Sequence, residues 1–336
     1  MTLQLDRLDH FPGEIAGIGV REIRKVFPNP TLIHLQGEVD PPVFISTLLH
    51  GNETTSFSVL QRLQETQQAS PLRRSLLIFI GNVRASEAGQ RHLDGEPDFN
   101  RIWAHGETPH HALAEDVLAV ARRAGVFASI DIHNNTGRNP VYGCINSLRP
   151  QDLHLAAAFA PIGVYYLNPP TTQSIAFSHL GPAITLECGQ AGDADGLAAA
   201  LRLIDHVTGL DELPATPPAS GSLELFETVG RVVVDPAADF AFGPAAGAGL
   251  VFRSDLEDLN FTPVKTGSIW AEISGQRAGL KVVDEHGNDL TDEFFLRQRG
   301  TLKLRQTVVP AMITRDEAII RSDCLCYLMK PLAWQQ

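Results

Sequence analysis

Two residues that could bind a metal ion, His50 and Glu53, stand three positions apart in the sequence TLLHGNETT, directly after an apolar run. The run VFISTLL predicts a strand, and the polar residues with a glycine after it predict a turn. His133, far along the chain, is a candidate third ligand. Two imidazoles and one carboxylate are the ligand set of a catalytic zinc ion that keeps one position open for water. A polar surface turn without metal is the alternative.

Other polar side chains also follow predicted strands. Asn82, Arg91, Asn100 and Arg101 lie in and beyond the loop after SLLIFIGN; Asp131, His133 and Asn134 close VFASIDIH; Glu187 closes AITLE. In an open α/β sheet, ligands bind outside the carboxyl ends of the strands. The positions of these side chains therefore predict a binding site at that edge of the sheet.

The first 210 residues alternate between two kinds of segment. Apolar runs of strand length are TLIHLQG, VFISTLL, SLLIFIGN, VFASIDIH, GVYYLN and AITLECG, and segments of helical period are TSFSVLQRLQETQQ, HALAEDVLAVARRAG, QDLHLAAAFA and DGLAAALRLIDHVTG. Continuous apolar strands between amphipathic helices indicate a sheet covered on both faces. We predict an α/β fold with a mostly parallel mixed sheet flanked by helices.

The character of the sequence changes near residue 211, in the linker-like stretch DELPATPPASGS. Short β-type segments such as RVVVD, GLVFRS, GSIWAEIS and TLKLRQTVV follow, separated by turn residues. We predict an α/β catalytic domain over residues 1–212 and a smaller all-β domain over residues 220–336.

Composition and charge restrict the class of partner. The 336 residues are 43% hydrophobic and 20% charged, as in ordinary globular proteins, and the formal charge is -12. This charge argues against nucleic acid or an anionic membrane surface as partner. The N-terminal segment lacks the apolar core of a signal peptide, so we expect a cytoplasmic protein. Four cysteines without CxxC spacing are too few for a disulfide framework and predict small buried side chains.

Four short motifs in order resemble one known family. HGNE after a strand, DFNR at residues 98–101, DIHN at residues 131–134 and the glutamate of ITLECG are similar to motifs of the succinylglutamate desuccinylase/aspartoacylase branch of the zinc carboxypeptidase-like hydrolases. The resemblance covers the whole α/β part, and a β-rich C-terminal domain also suits the family. It implies a zinc carboxypeptidase-like fold and one zinc ion per chain.

The resemblance also implies a role for each side chain. His50, Glu53 and His133 would hold the zinc ion, and Glu187 would be the general base. Arg91 would stabilise the oxyanion of the tetrahedral intermediate. Asn100 and Arg101 would bind a substrate carboxylate, and Asp131 would support His133 from outside the ligand set.

Each of these side chains also has a purely structural interpretation. Glu187 and Arg101 could form a buried ion pair, Arg91 could be an exposed loop arginine, and Asp131 could cap a turn. The segment DGEPDF makes the distance along the chain from Arg91 to Asn100 longer than the family pattern leads us to expect.

The chain departs from the family pattern at two places. Gln173 stands before the Ser-Ile-Ala segment, where the family pattern has an arginine. The segment DEAIIRS lacks the tyrosine that the family pattern has after a Glu-Ala pair near the C-terminus. A strict N-acetylaspartate substrate is therefore disfavoured. Arg138 and Tyr142, in HNNTGRNPVYG, could supply a compensating charge and hydroxyl for substrate binding, although TGRNP is also turn chemistry.

The predicted function is zinc-dependent hydrolysis of a small N-acylated amino acid or a related amide that carries a carboxylate. The alternatives are a carboxypeptidase for short peptides, a zinc-containing binding protein without catalysis, and an α/β protein without metal. Two histidines and one carboxylate also suit Fe²⁺, Co²⁺ or Mn²⁺. The sequence is compatible with a homo-oligomer.

Overall fold

A computed structural model describes residues 3–244, 248–274 and 279–334. The chain forms two compact units. The first comprises Met1–Asn134, Val141–Leu225 and Trp334–Gln336, and the second comprises Asn135–Pro140 and Phe226–Ala333. The six residues 135–140 therefore belong to the second unit, although they lie within the span 1–212 that the sequence assigned to the catalytic domain.

The first unit is built around a mixed sheet. Its strands are β1 (Asp6–Leu8), β2 (Thr31–Leu35), β3 (Val39–Thr47), β4 (Arg74–Ile80), β5 (Ala128–His133), β6 (Tyr142–Ile145), β7 (Ile162–Tyr165) and β8 (Ala183–Glu187), in the spatial order β1-β2-β4-β3-β5-β8-β6-β7. Only the pairs β2–β4 and β6–β8 are antiparallel among these neighbours. The predicted mixed α/β fold with a large sheet and helices is confirmed.

Six α-helices belong to the first unit in the described residues: α1 (Thr55–Ala69), α2 (Val83–Ala88), α3 (Pro109–Ala124), α4 (Pro150–Phe159), α5 (Gln173–Ser178) and α6 (Ala194–Gly209). Two 3₁₀ helices, Gly13–Gly17 and Val20–Lys25, precede β2. The helical periods in the sequence correspond to α1, α3, α4 and α6. Helix α3 begins after Thr108, whose side chain accepts a hydrogen bond from the His111 amide, and ends at Gly125 in a left-handed conformation.

Helix α5 packs against β5 and β8 and adds Phe177 to an aromatic core. Phe177 of α5 stacks on Phe44 of β3 with ring centroids 4.1 Å apart, and Trp103 meets Phe177 edge to face. All three rings are buried. This apolar layer fixes one face of the central strands, so the polar side chains at the ends of β5 and β8 have a rigid base.

The second unit is rich in β structure. Its strands are β9 (Glu224–Val234, whose first two residues belong to the first unit), β10 (Phe240–Phe242), β11 (Leu250–Phe252), β12 (Ile269–Ile273), β13 (Leu280–Val283), β14 (Phe295–Gln298), β15 (Thr301–Leu304), β16 (Val309–Ala311) and β17 (Cys326–Pro331). One sheet has the order β10-β11-β12-β15-β14; elsewhere β9 pairs with β13 and β17, and β17 pairs with β16. Two short helices, α7 (Thr291–Phe294) and α8 (Glu317–Ser322), and a 3₁₀ turn at Leu256–Leu259 interrupt the strands.

The burial of the cysteines and the length and polarity of the helices concern both units. The four cysteines are buried, which confirms the prediction that they are small buried side chains: Cys144, Cys188, Cys324 and Cys326. Across residues 3–244, 248–274 and 279–334, every helix is too short or too polar to cross a membrane.

Candidate metal centre

The turn after β3 brings His50 and Glu53 together. Leu48 is buried and has a φ of 54°, a left-handed conformation that turns the chain sharply at the strand end. Gly51 is required because a Cβ at this position would lie 2.2 Å from the carbonyl carbon of Ala85. The result is a distance of 2.7 Å between His50 Nδ1 and Glu53 Oε1.

His133, the last residue of β5, completes a cluster of three candidate ligands. Its Nδ1 lies 2.7 Å from Glu53 Oε2 and 3.2 Å from His50 Nδ1. One ligand atom from each of the three residues can be chosen so that all lie within 4.8 Å of one another, and all three side chains are buried. The separate segments of sequence therefore meet at one point.

The outer nitrogens of both imidazoles face carboxylates. His50 Nε2 lies 2.9 Å from Asp98 Oδ1, and His133 Nε2 lies 2.8 Å from Asp131 Oδ2. Asp131 also accepts a hydrogen bond of 2.6 Å from Ser46 Oγ. A carboxylate at Nε2 favours the tautomer with its proton there, which leaves the Nδ1 lone pair directed inward. The donor set thus fits a metal ion bound by two Nδ1 atoms and one carboxylate.

The charges of these residues are strongly coupled. Burial alone would raise the pKa of Glu53, but the adjacent His50 and His133 hold it well below its usual range. Burial would lower the pKa of His133, but Asp131 and Glu53 raise it well above its ordinary value. The pocket therefore favours positive charge at its centre, which a proton or a metal ion can supply.

Glu187, the last residue of β8, lies beside this cluster. It is in register with His133 across β5 and with Tyr142 across β6, so the three side chains share one face of the sheet. Burial, with smaller contributions from Glu53 and Asp131, raises the pKa of Glu187 to about 7 against the opposing effects of His133 and Arg91. A carboxylate with a pKa near neutrality can both accept and return a proton at physiological pH.

Arg91 reaches the cluster despite the long DGEPDF segment. Its Nε and Nη2 donate to Asp98 Oδ2 at 3.2 and 3.0 Å, and its Nη1 lies 3.6 Å from Glu53 Oε1. Asn100 also adjoins the cluster, with Nδ2 3.3 Å from His133 Nε2. Arg101 donates to the Asn100 carbonyl oxygen at 2.8 Å.

Arg138 and Tyr142 have different surroundings. Arg138 belongs to the second unit, is exposed, and forms an ion pair of 2.5 Å with Asp258. Tyr142 is 1% exposed and lies opposite Glu187 on the neighbouring strand. The structure thus groups Tyr142 with Glu187 and gives Arg138 a carboxylate partner within its own unit.

Two contributors had no assigned role in the sequence. Asp98 contacts both His50 and Arg91, and its position at the start of the DFNR motif was the sequence signal that could have indicated this role. Asn134 follows His133, and its backbone amide donates to Glu53 Oε2 at 3.1 Å. Its side chain donates to Thr55 Oγ1 at 2.9 Å, which ties the ligand strand to the start of α1.

The central part of the chain matches a model of one known protein family. A family model, the Succinylglutamate desuccinylase/Aspartoacylase catalytic domain, matches residues 39–208, about half of the chain. The chain belongs to the succinylglutamate desuccinylase/aspartoacylase family. The matched range contains every strand end of the candidate centre, from His50 to Glu187, and confirms the resemblance read from the four motifs.

Individual members of the succinylglutamate desuccinylase/aspartoacylase family are distant relatives. The chain is 27% identical over 272 residues to succinylglutamate desuccinylase of Serratia proteamaculans (strain 568), a match that covers 72% of this chain and 78% of that protein. It is 36% identical over 93 residues to succinylglutamate desuccinylase of Yersinia enterocolitica, covering 27% of this chain and 26% of that protein.

Solved structures of the family share the fold. A succinylglutamate desuccinylase/aspartoacylase from Rhodobacter sphaeroides aligns with a TM-score of 0.60 and 15% identity over 89% of this chain and 88% of that chain. Murine aminoacylase 3 aligns with a TM-score of 0.58 and 17% identity over 88% of this chain and 96% of that chain.

Proposed function

We propose that this family member is a zinc-dependent deacylase that hydrolyses the amide bond of a small N-acylated amino acid. The observation that carries the proposal is the convergence of His50 Nδ1, Glu53 and His133 Nδ1 beside the buried Glu187. A binding protein without catalysis has no need of a second carboxylate with a pKa near 7 at this point. The names of the relatives, succinylglutamate desuccinylase and aminoacylase, describe deacylation of such compounds by those proteins and support the same reaction class here.

His50, Glu53 and His133 would hold the metal ion. Zinc fits two imidazole nitrogens and one carboxylate with an open position, and it supplies Lewis acidity that lowers the pKa of water to about 7. Fe²⁺, Co²⁺ and Mn²⁺ accept similar ligands, so metal analysis of the purified protein decides the identity of the ion.

Proton transfer is the proposed task of Glu187. As a carboxylate it accepts a proton from the attacking water, and as a carboxylic acid it returns this proton to the departing nitrogen. A pKa near 7 makes both forms accessible at neutral pH. The nitrogen then leaves as an amine and the acyl group as a carboxylate.

Arg91 is the proposed donor to the oxyanion that forms on the amide carbonyl oxygen. Its guanidinium is 30% exposed, is fixed by Asp98, and lies within 3.6 Å of Glu53. A donor held in this way needs little reorganisation as charge develops. Asn100 and Arg101 are the proposed binding groups for the substrate carboxylate, for which a guanidinium fork is suited.

Arg138 and Tyr142 stay predicted substrate-binding residues. A carboxylate contact by Arg138 would require its guanidinium to leave or share Asp258, with which it is paired. An increase in KM of about tenfold for Arg138→Ala would support the contact. An unchanged KM would rule it out.

The proposal is tested by hydrolysis assays on protein of measured metal content. The panel contains N-acetyl and N-succinyl amino acids together with dipeptides, and Glu187→Ala is the matched inactive variant. Zinc near one ion per chain and Glu187-dependent release of one acyl class are expected. Turnover of dipeptides alone would indicate a carboxypeptidase, and bound zinc without any turnover would contradict a deacylase.

A further inference from the structure

A cluster of uncharged polar side chains adjoins Glu187. Thr185 precedes Glu187 by two residues on β8, so both side chains point to the same face of the sheet. Tyr166 and helix α5 add further hydroxyl and amide groups near Thr185. We name these residues the uncharged polar cluster; its members are Ser129, Tyr166, Thr172, Gln173, Ser174 and Thr185.

Hydrogen bonds within the uncharged polar cluster hold its members in place. The Tyr166 hydroxyl lies 2.8 Å from Ser174 Oγ and donates to Thr172 Oγ1 at 3.4 Å. Gln173 Nε2 donates to Ser129 Oγ at 3.0 Å. Five of the six side chains are buried, and Tyr166 is partly exposed. The cluster is therefore an ordered part of the first unit.

Asn100 connects the uncharged polar cluster to the candidate metal centre. Its Oδ1 accepts a hydrogen bond of 2.8 Å from the Gln173 backbone amide, and its Nδ2 lies 3.3 Å from His133 Nε2. Thr185 also lies two residues before Glu187 on β8, which places the cluster beside that carboxylate. A substrate held at the metal centre would therefore lie close to the cluster.

Two polar atoms of the cluster make no hydrogen bond of standard geometry, and the Tyr166 hydroxyl lies near one of them, Thr185 Oγ1. Gln173 Oε1 and Thr185 Oγ1 are both buried, and the two side chains are 0% and 4% exposed. A buried polar atom without a well-formed hydrogen bond is unfavourable, so each of these two atoms is available to bond a water molecule or a polar group of a ligand. One end of an amide and one hydroxyl together suit a partner that itself forms neutral hydrogen bonds.

Charge around the cluster is unevenly distributed. The closest charged side chains along β8 and β5 are carboxylates: Glu187 is two residues beyond Thr185, and Asp131 is directly opposite Thr185. The arginines of the centre lie with other partners, Arg91 with Asp98 and Arg101 with the Asn100 carbonyl. A second carboxylate on the substrate would thus meet anionic neighbours in the cluster, which disfavours its burial.

We propose that the uncharged polar cluster binds a neutral hydrogen-bonding group of the substrate, so that the preferred substrate is an N-acyl amino acid with one carboxylate. This inference rests on the proposed deacylase function and restricts its substrate class. It assigns Thr185, Gln173 and Tyr166 to substrate specificity.

Pairs of substrates that differ only in one group test the proposal. N-acetylglutamine is compared with N-acetylglutamate, and N-acetylasparagine with N-acetylaspartate, by kcat/KM with zinc-loaded protein. We expect the amide member of each pair to be favoured by roughly tenfold or more. Equal or faster Glu187-dependent turnover of the dicarboxylates would overturn this inference and leave the deacylase function intact. Absence of turnover on these and all other N-acyl amino acids would overturn the deacylase function and the inference with it.

Substitutions at Thr185 separate recognition from structure. Thr185→Val removes the hydroxyl with little change of shape and is expected to reduce the ratio of kcat/KM between N-acetylglutamine and the apolar N-acetylnorvaline by about fivefold. Thr185→Ser keeps the hydroxyl and should keep the ratio. A merely structural role would lower both rates equally and leave the ratio unchanged, which would overturn the assignment. Tyr166→Phe provides the same measurement should Thr185→Val fail to fold.

Discussion

His50 and Asp98 are joined by a direct contact of 2.9 Å between the imidazole Nε2 and the carboxylate Oδ1. The second oxygen of Asp98 accepts two hydrogen bonds from Arg91. Burial alone would raise the pKa of Asp98, but His50 and Arg91 hold it well below its usual range. One ionised carboxylate therefore orients both a candidate metal ligand and the proposed oxyanion donor.

Replacement of Asp98 by asparagine should weaken metal binding and catalysis together. The amide cannot supply the negative charge that fixes His50 and Arg91, and loss of such an outer partner typically costs 10–100-fold in metal affinity or activity. Zinc affinity is measured by competition with a chelator and activity by kcat. Asp94→Asn, an exposed substitution in the same loop, is the control and should change neither. Wild-type zinc affinity in Asp98→Asn would contradict the role.

Glu187→Gln should abolish most activity while the protein keeps its zinc. Glutamine has nearly the same shape but cannot accept the proton, and loss of a general base costs about 10²–10⁴-fold in rate. Initial rates and metal content are measured on the same preparation. The exposed Glu212→Gln serves as control. A rate within a factor of a few of wild type would exclude Glu187 as the base.

The pH dependence of the reaction should follow from the same carboxylate. Glu187 must be ionised to accept a proton, and its pKa is raised to about 7, chiefly by burial. The value of kcat/KM should therefore fall as the pH falls through this region, with the midpoint lower once a cation is bound nearby. The pH profile of the residual activity of Glu187→Gln should lack this fall at low pH, the acid limb of the profile. An identical limb in the variant would assign it to another group.

Metal removal should reverse the pH dependence of stability. His133 has a folded-state pKa above the ordinary value of 6.5, so its stabilising effect in metal-free protein is complete below pH 6.5 and is lost as the pH rises through the raised pKa. In zinc-loaded protein, protons compete with the metal, so stabilisation by zinc grows as the pH rises. Tm values of chelator-treated and zinc-loaded samples from pH 6.5 upward should diverge. The metal-free trend should disappear in His133→Gln and persist in His92→Gln, an exposed control.

The sequence was informative where chemistry coincides with a strand end. His50, His133 and Glu187 follow apolar runs that are recognisable from composition, and parallel pairing of β3, β5 and β8 brings such ends together. The spacing of His50 and Glu53 was also sufficient to predict that their side chains meet, because two side chains three residues apart in a tight turn lie close together. These residues could therefore be predicted as site residues without knowledge of contacts between distant parts of the chain.

Other parts of the molecule depend on contacts that spacing does not encode. Asp98 lies in an irregular loop, and its contact with His50 spans 48 residues of chain. Helix α5 has only six residues, too few to show a helical period, and is held in place by Phe44 and Trp103. The assignment of residues 135–140 to the second unit likewise depends on partners more than a hundred residues away.

Gly137 should be intolerant of any side chain. A Cβ at this position would lie 2.0 Å from the Ile313 carbonyl oxygen, a backbone atom of the same unit. We expect Gly137→Ala to lower the free energy of unfolding by about 1–3 kcal/mol. Chemical denaturation measures the change. Gly249→Ala, where the added Cβ would make an ordinary contact at 3.5 Å, is the control in the same unit, and equal stability of both variants would contradict the close approach.

The segment 135–140 also has a consequence for the order of events during synthesis. Asn139 accepts a hydrogen bond from the Met312 amide, and Asn260 donates to the Arg138 carbonyl, across 173 and 122 residues of chain. A ribosome completes β5, β6 and β8 long before it adds residue 312. During synthesis, Arg138 and Asn139 in the connection between β5 and β6 therefore form these hydrogen bonds only after Asn260 and Met312 have been added. This part of the sheet edge therefore becomes ordered only after residues as late in the sequence as Met312 have been translated.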